Sequence, residues 1–238
     1  MLYNTRGIVF RTVKYSDHSI IAKIYTELFG LQGFLINTGR NKKSTVKKNT
    51  LQPMSLVDLV IYHKEKKQLH RIQEVNVDYP FERIPYDVIK SSIVLFINEI
   101  LYKSIREEEQ NKPLFDFIYN SLKRLDSESG VYVNFHLIFM AQLTKFLGFY
   151  PQGNFSETTP FFDLKEGQFQ NSKPNHFNFI LGKESELFYR LFTKGVEVNM
   201  NNTQRKQQLF YLIQYYKLHM EIIGELESPK VLEEIFSE

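Results

Sequence analysis

In the first 80 residues, apolar side chains fall into short runs rich in β-branched and aromatic residues, each closed by a polar turn. Residues 7–13 and 19–25 are two such runs. Tyr15-Ser16-Asp17-His18 supplies the polar break between them, so the pair predicts a hairpin. A third run, 31–36, follows a turn at Phe29-Gly30 and contains Gly33, an interior glycine of the kind that marks a bulge or a tight barrel bend. Two more, 54–62 and 69–77, are joined by the charged turn Lys64-Glu65-Lys66-Lys67. Five short strands, with one long polar connection between the third and fourth, predict a small closed barrel of OB type, because closure removes exposed sheet edges. An SH3-like barrel is the nearest competitor.

After Pro80 the apolar period changes from two to about 3.6. Residues 86–105 place Val88, Ile89, Ile93, Phe96, Ile97, Ile100, Leu101 and Ile105 at helical spacing, which predicts a helix with one wide buried face. Glu107-Glu108-Glu109 and Pro113 end it. A second helix follows over 114–125, closing near Asp126-Ser127-Glu128-Ser129-Gly130. A third, over 132–147, is apolar nearly all round and is expected to be the centre of a helical body. From 148 to 182 the pattern breaks down, with prolines at 151, 160 and 174 and a possible hairpin over 161–169. Helical signals return at 185–193 and 203–223, and Ser228-Pro229 opens a last helix running to Phe236. The expected class is α+β: a barrel domain over 1–80, then a mainly helical domain over 81–238 with an insertion at about 148–182.

Charge divides the chain in the same place. Residues 1–80 hold 13 Lys/Arg against 6 Asp/Glu, net +7, and the remainder holds 17 against 21, net −4. The densest cluster is Arg40, Lys42, Lys43, Lys47 and Lys48, five cations in nine residues with no acid among them; Lys64, Lys66, Lys67 and Arg71 follow. Such a patch suits a phosphate backbone, adding salt-dependent affinity without reading sequence. The plainer alternative is that short lysine runs only keep the protein soluble. Aromatic residues reach 15%. Phe10, Tyr15, Tyr25, Phe29, Phe34 and Tyr62 are the barrel's candidates for base stacking, each with a core position as its ordinary fate. Tyr15, at a turn beside Lys14, is the one best placed to be exposed.

Other chemistry is hard to find. The chain has no cysteine, so disulfides, thiolate nucleophiles and sulfur-based zinc sites are excluded. Six histidines show no HxxxH or HxH spacing. His63 and His70 could approach across a hairpin, the alternative being ordinary surface histidines. Phosphate-loop, dinucleotide, GxSxG and HExxH motifs do not occur, and the carboxylate pairs lie in charged stretches at helix ends, so no enzyme and no cofactor is expected. No stretch reaches the roughly 20 apolar residues of a membrane helix, and Met1 to Arg6 lacks the order of a signal peptide. The expectation is a soluble protein that stays in the cytoplasm.

Several strings resemble the RecO family of recombination mediators: Gly7-Ile8-Val9-Phe10, Tyr15-Ser16-Asp17-His18-Ser19-Ile20, Phe29-Gly30, Gly39-Arg40 with Lys42, Lys43 and Ser44, and Leu51-Gln52-Pro53-Met54. Further on, Phe146-Leu147-Gly148-Phe149-Tyr150-Pro151 and the stretch from Ile222-Ile223-Gly224 to Leu232 are similar to that family as well, so the resemblance spans nearly the whole length. It implies an N-terminal OB-fold, a helical body, binding of single- and double-stranded DNA, and annealing of complementary strands at the nucleoid. It also implies partnership with RecR and with the C-terminal tail of single-stranded DNA-binding protein, so that RecA is loaded onto gaps. Many members of the family carry four zinc-binding cysteines just after the position of Phe149-Tyr150-Pro151. This chain has none, so its 152–180 region is expected to be held by packing alone. Charge and family position together nominate Arg11, Lys14, Tyr15, Arg40, Lys42, Lys43, Lys47, Lys48, Lys66, Lys67 and Arg71 as DNA-binding residues. A second class of function stays open, an adaptor whose basic barrel docks an acidic peptide and meets no nucleic acid.

Overall fold

The computed structural model describes residues 1–37, 48–64, 67–129, 132–193, 198–220 and 223–235. It divides into two compact units, Met1–Ser127 and Glu128–Glu238.

In the first unit five strands close a barrel: β1 (Leu2–Ser16), β2 (Ser19–Thr26), β3 (Gly30–Asn37), β4 (Leu56–Tyr62) and β5 (Leu69–Tyr79). Their order around the wall is β1-β2-β3-β5-β4, with β3 parallel to β5 and every other pair antiparallel. That order is the OB arrangement, which decides against the SH3-like alternative. Alternation does the rest. Val9, Ala22, Ile24, Phe34, Ile36, Val57, Leu59, Ile61 and Val75 point inward and exclude water, and Leu51, from a short 3-10 turn over Lys48–Leu51, plugs the same core. Gly33 lies in no bulge. It stands where β3 meets β5, opposite Leu69, and a Cβ there would lie 3.0 Å from the Gln68 carbonyl oxygen and from a Leu69 methyl.

Two helices, α1 (Val88–Ser104) and α2 (Lys112–Ser127), complete the unit. Phe10 and Tyr25 leave the barrel wall on its outer side and stack at 5.7 Å, and Tyr25 meets Phe115 of α2 at 6.2 Å. Arg6 lies over the rings of Phe115 and Tyr119 and bonds Glu27 at 2.9 Å and Asp116 at 3.3 Å. The Arg6 hydrogen bond holds the Glu27 carboxyl down to about 2 against its own desolvation, with Lys112 adding to the effect. The Phe29-Gly30 turn is fixed just as tightly. Gly30 has φ +63°, and a Cβ there would fall 2.3 Å from the backbone oxygen of Glu109 and 2.6 Å from that of Glu107, which accepts from Leu31 N. Gly30→Ala is therefore expected to cost about 2 kcal/mol or more, left-handed backbone strain plus displacement of the α1–α2 connection, read as a lowered urea midpoint.

The second unit is built on α3 (Phe135–Leu147), α4 (Lys183–Thr193), α5 (Asn202–His219) and α6 (Ser228–Ile235). The expected hairpin is present as β6 (Phe161–Asp163) and β7 (Gln168–Gln170), turned at Gly167 with φ +67°. A third strand, β8 (Phe179–Leu181), pairs with the other edge of β6, in the order β7-β6-β8. This little sheet is held by aromatic packing. Phe162 meets Phe169, Phe188 and Tyr215 at 4.6, 4.9 and 5.5 Å. Polar ties supplement the packing: Asp163 accepts from Lys165 N and Glu166 N and lies 3.2 Å from His176, while a His219 ring nitrogen meets the Leu164 carbonyl at 3.0 Å. Burial pushes the hydroxyls of Tyr215 and Tyr216 well above the phenol range, and they donate to the carbonyls of Phe149 and Met140. No helix among the described residues is long and apolar enough to cross a membrane.

Candidate nucleic-acid interface

Register places the candidate residues on the barrel. Arg11 of β1 is opposite Lys23 of β2, Lys23 opposite Gly33 of β3, and Gly33 opposite Leu69 of β5. Two residues along, the next row runs Val13, Ile21, Leu35, Arg71 and, on β4, Tyr62. Inward residues such as Ala22 and Phe34 lie between the two rows, so both rows face outward. The result is a strip of sheet with a half-exposed apolar floor (Val13, Ile21, Leu35, Leu69), three cations (Arg11, Lys23, Arg71) and one accessible ring, Tyr62, 49% exposed. Gly33 has no side chain of its own, and the Leu69 methyl and Lys23 ammonium lie over it.

The β1–β2 hairpin extends this strip. Its tip carries Lys14 and Tyr15, the latter 64% exposed. Lys14 bonds Asp17 at 2.8 Å, an exposed pair that offsets part of its charge. Arg11 is steadied from α1: its guanidinium lies 5.4 Å from the Tyr102 ring centroid and donates to that hydroxyl at 3.4 Å. At the other end Lys64 and Lys67 are exposed on the β4–β5 connection. Of the eleven residues nominated from sequence, Arg11, Arg71, Lys14, Tyr15 and Lys67 are thus on this side or its rim. Lys48 begins the 3-10 turn before Leu51. Arg40, Lys42, Lys43, Lys47 and Lys66 lie outside the described residues, and so does the predicted course of the basic segment.

Lys23 is not among the nominated residues, although it occupies the centre of the strip. Its signal lies in alternation, as the polar residue between Ala22 and Ile24. Of the six stacking candidates, Phe10, Tyr25 and Phe34 are buried, Phe29 is half-buried, and Tyr15 and Tyr62 are exposed.

His63 and His70 are not ordinary surface residues. Phe29, His63 and His70 stack in series, with centroids 4.0 and 4.5 Å apart, and His70 is only 3% exposed. Burial, with the neighbouring His63 charge adding to it, pushes the His70 imidazole below its usual range. The stack packs the end of the barrel near the β4–β5 connection, and the described residues contain no group of three metal-ligating side chains.

A closed OB barrel with a cationic outer face, carried with a helical body, defines the class of protein. Comparison with known families makes the assignment specific. The family described as Recombination protein O N terminal matches residues 1–81, and Recombination protein O C terminal matches residues 85–225. The chain belongs to the RecO family. It is 38% identical over 241 residues to a DNA repair protein RecO from Bacteroides fragilis, covering 99% of this chain and 100% of the relative. The protein of the same name from Phocaeicola vulgatus is 36% identical over 241 residues, and that from Flavobacterium psychrophilum 38% over 243, each alignment covering both chains completely.

Proposed function

We propose that this chain acts in recombinational DNA repair as a binding protein rather than an enzyme, working in the cytoplasm at the nucleoid. The barrel domain holds single- and double-stranded DNA by its phosphates without sequence preference. Held strands are annealed to their complements, and recombinase is helped onto gaps coated with single-stranded DNA-binding protein. RecR and the C-terminal tail of that coating protein are the protein partners.

The observation that carries this reading is the placing of Arg11 and Lys23 side by side on β1 and β2, with Arg71 in the next row on β5, over an apolar floor. Adjacent strands are about 4.8 Å apart, so the strip presents separated charges to one phosphate chain while the floor and rings receive bases. Lys42, Lys43, Lys47 and Lys48 supply further cations from the sequence-defined basic segment.

The test is a salt titration of oligonucleotide binding. Lys23→Glu with Arg71→Glu is expected to weaken single-strand and duplex binding roughly tenfold or more at moderate salt, and to flatten the slope of log affinity on log salt by about one for each cation removed. Replacing Lys42, Lys43, Lys47 and Lys48 by Glu is expected to cost more again and to abolish annealing in a chain that remains folded by circular dichroism. Should the parent protein ignore oligonucleotides even in dilute buffer, the DNA reading fails, and a barrel docking an acidic peptide takes its place.

A further inference from the structure

The small sheet of the second unit turns an unusual surface to solvent. Phe162 and Ile180 pair across β6 and β8 and face inward, so Phe161 and Leu181, paired with each other, and Phe179 face out, while Asp163, the partner of Phe179, is buried beside His176 and the amides of Lys165 and Glu166. The rings of Phe161 and Phe179 meet edge to face at 5.9 Å, and the Lys173 ammonium lies 5.5 Å from the Phe179 centroid. Leu181 is exposed, and Phe177, two residues before Phe179, is fully exposed.

Charge gives this surface its direction. Residues 128–238 hold 10 Lys/Arg against 13 Asp/Glu, yet between Glu166 and Glu184 there is no carboxylate at all. That interval contains Lys173, Lys183 and His176, the phenylalanines Phe169, Phe177 and Phe179, and five side-chain amides, among them Asn175 and Asn178. An acid-free stretch of rings, amides and cations within an acidic unit is the composition that unpaired nucleotides need, faces for bases and donors for phosphates, and the carboxylate paired with Phe179, Asp163, is buried beside His176. A duplex, its bases already stacked, has no use for the rings.

We propose that the outer face of β6 and β8, with Phe177 and Lys173 at its edge, is a second contact for DNA that takes unpaired bases only. The barrel then holds either form by its phosphates, and this face distinguishes single strands from duplex. The inference rests on the DNA reading of the barrel given above and adds to it a site that the basic N-terminal third does not contain.

The chain has no tryptophan, so Phe177→Trp introduces a single indole at the site. Titration with a thymine oligonucleotide is expected to quench that fluorescence saturably, while an equal-length duplex, bound according to its own anisotropy, leaves it unchanged. Phe177→Ala and Lys173→Glu are expected to lower single-strand affinity roughly tenfold with duplex affinity unaltered. Phe177 is solvent-exposed, so neither change at that position threatens folding. If anisotropy reports single-strand binding but the indole is silent and both variants bind as the parent does, this site is wrong and the barrel reading stands. If no oligonucleotide binds at all, the barrel reading falls and this one with it. Quenching by an acidic peptide or by a second copy of the chain, in place of DNA, also overturns the proposal.

Discussion

Asp126→Ala is expected to remove about 4 kcal/mol from the stability of the first unit, the largest effect of any single polar substitution there. The Asp126 carboxylate is buried at the end of α2 and accepts from the backbone amides of Glu82, Arg83 and Ile84 at 2.9–3.0 Å, and from the Tyr79 hydroxyl at 3.4 Å. Its own carbonyl accepts from the buried Lys90 ammonium at 3.1 Å. Burial alone would raise its pKa, but the three amides outweigh burial and hold it below the usual carboxylate range. Alanine leaves those amides unsatisfied in the segment that joins β5 to α1. Asp126→Asn keeps one acceptor oxygen and is expected to lose roughly half as much. Urea unfolding of the three chains at pH 7 measures both differences; equal midpoints for parent and Asp126→Ala would show that the carboxylate holds nothing.

The second large effect is a loss of stability in mild acid. His136 is buried in α3, and burial, with the charge of Arg205 adding to it, pushes its imidazole down to about 3. The fold therefore keeps this histidine neutral, whereas the unfolded chain takes up a proton near pH 6.5. Above that pH neither state is protonated and stability is complete. Below it the unfolded state binds the extra proton, so stability falls as the pH drops from about 6.5 toward 3, by roughly 1.4 kcal/mol per pH unit from this residue. The lowered His70 contributes with the same sign. Urea midpoints at pH 7.5, 6 and 4.5 for the parent and for His136→Gln are expected to converge in acid by about 2 kcal/mol, because glutamine has no proton to gain. Parallel pH profiles for the two chains would contradict the assignment.

The barrel was legible because its strands are half-buried and alternate: residues 19–25 and 31–36 announce β2 and β3 almost to the residue. The helices of both units were legible from their apolar faces. Tertiary partners were not. Asp126 sits beside Ser127, Glu128 and Ser129 and reads as a solvated helix end, since the amides it binds are 42–44 residues upstream. Arg6 reads as one more N-terminal cation, and only the packing of α2 turns it into a half-buried ion-pair hub. Strand β8 is three residues long, too short for any period to register, and is defined by its pairing with β6. On the candidate interface, charge density drew attention to the Arg40–Lys48 cluster, while Lys23, alone in an apolar run, became visible only once register placed it between Arg11 and Gly33.

The seams of the barrel are unequal. Strands β3 and β5 share three residue pairs, against seven or eight at every other junction, and Gly33 contributes no side chain to reinforce them. Breathing of the wall should begin there, at the thinnest ladder. Lys23 and Arg71 stand on opposite sides of that seam, so a polynucleotide gripped by both would act as a clasp across it. Occupancy and closure would then reinforce each other, and hydrogen exchange at residues 33–35 and 69–71 would slow when the strand is bound.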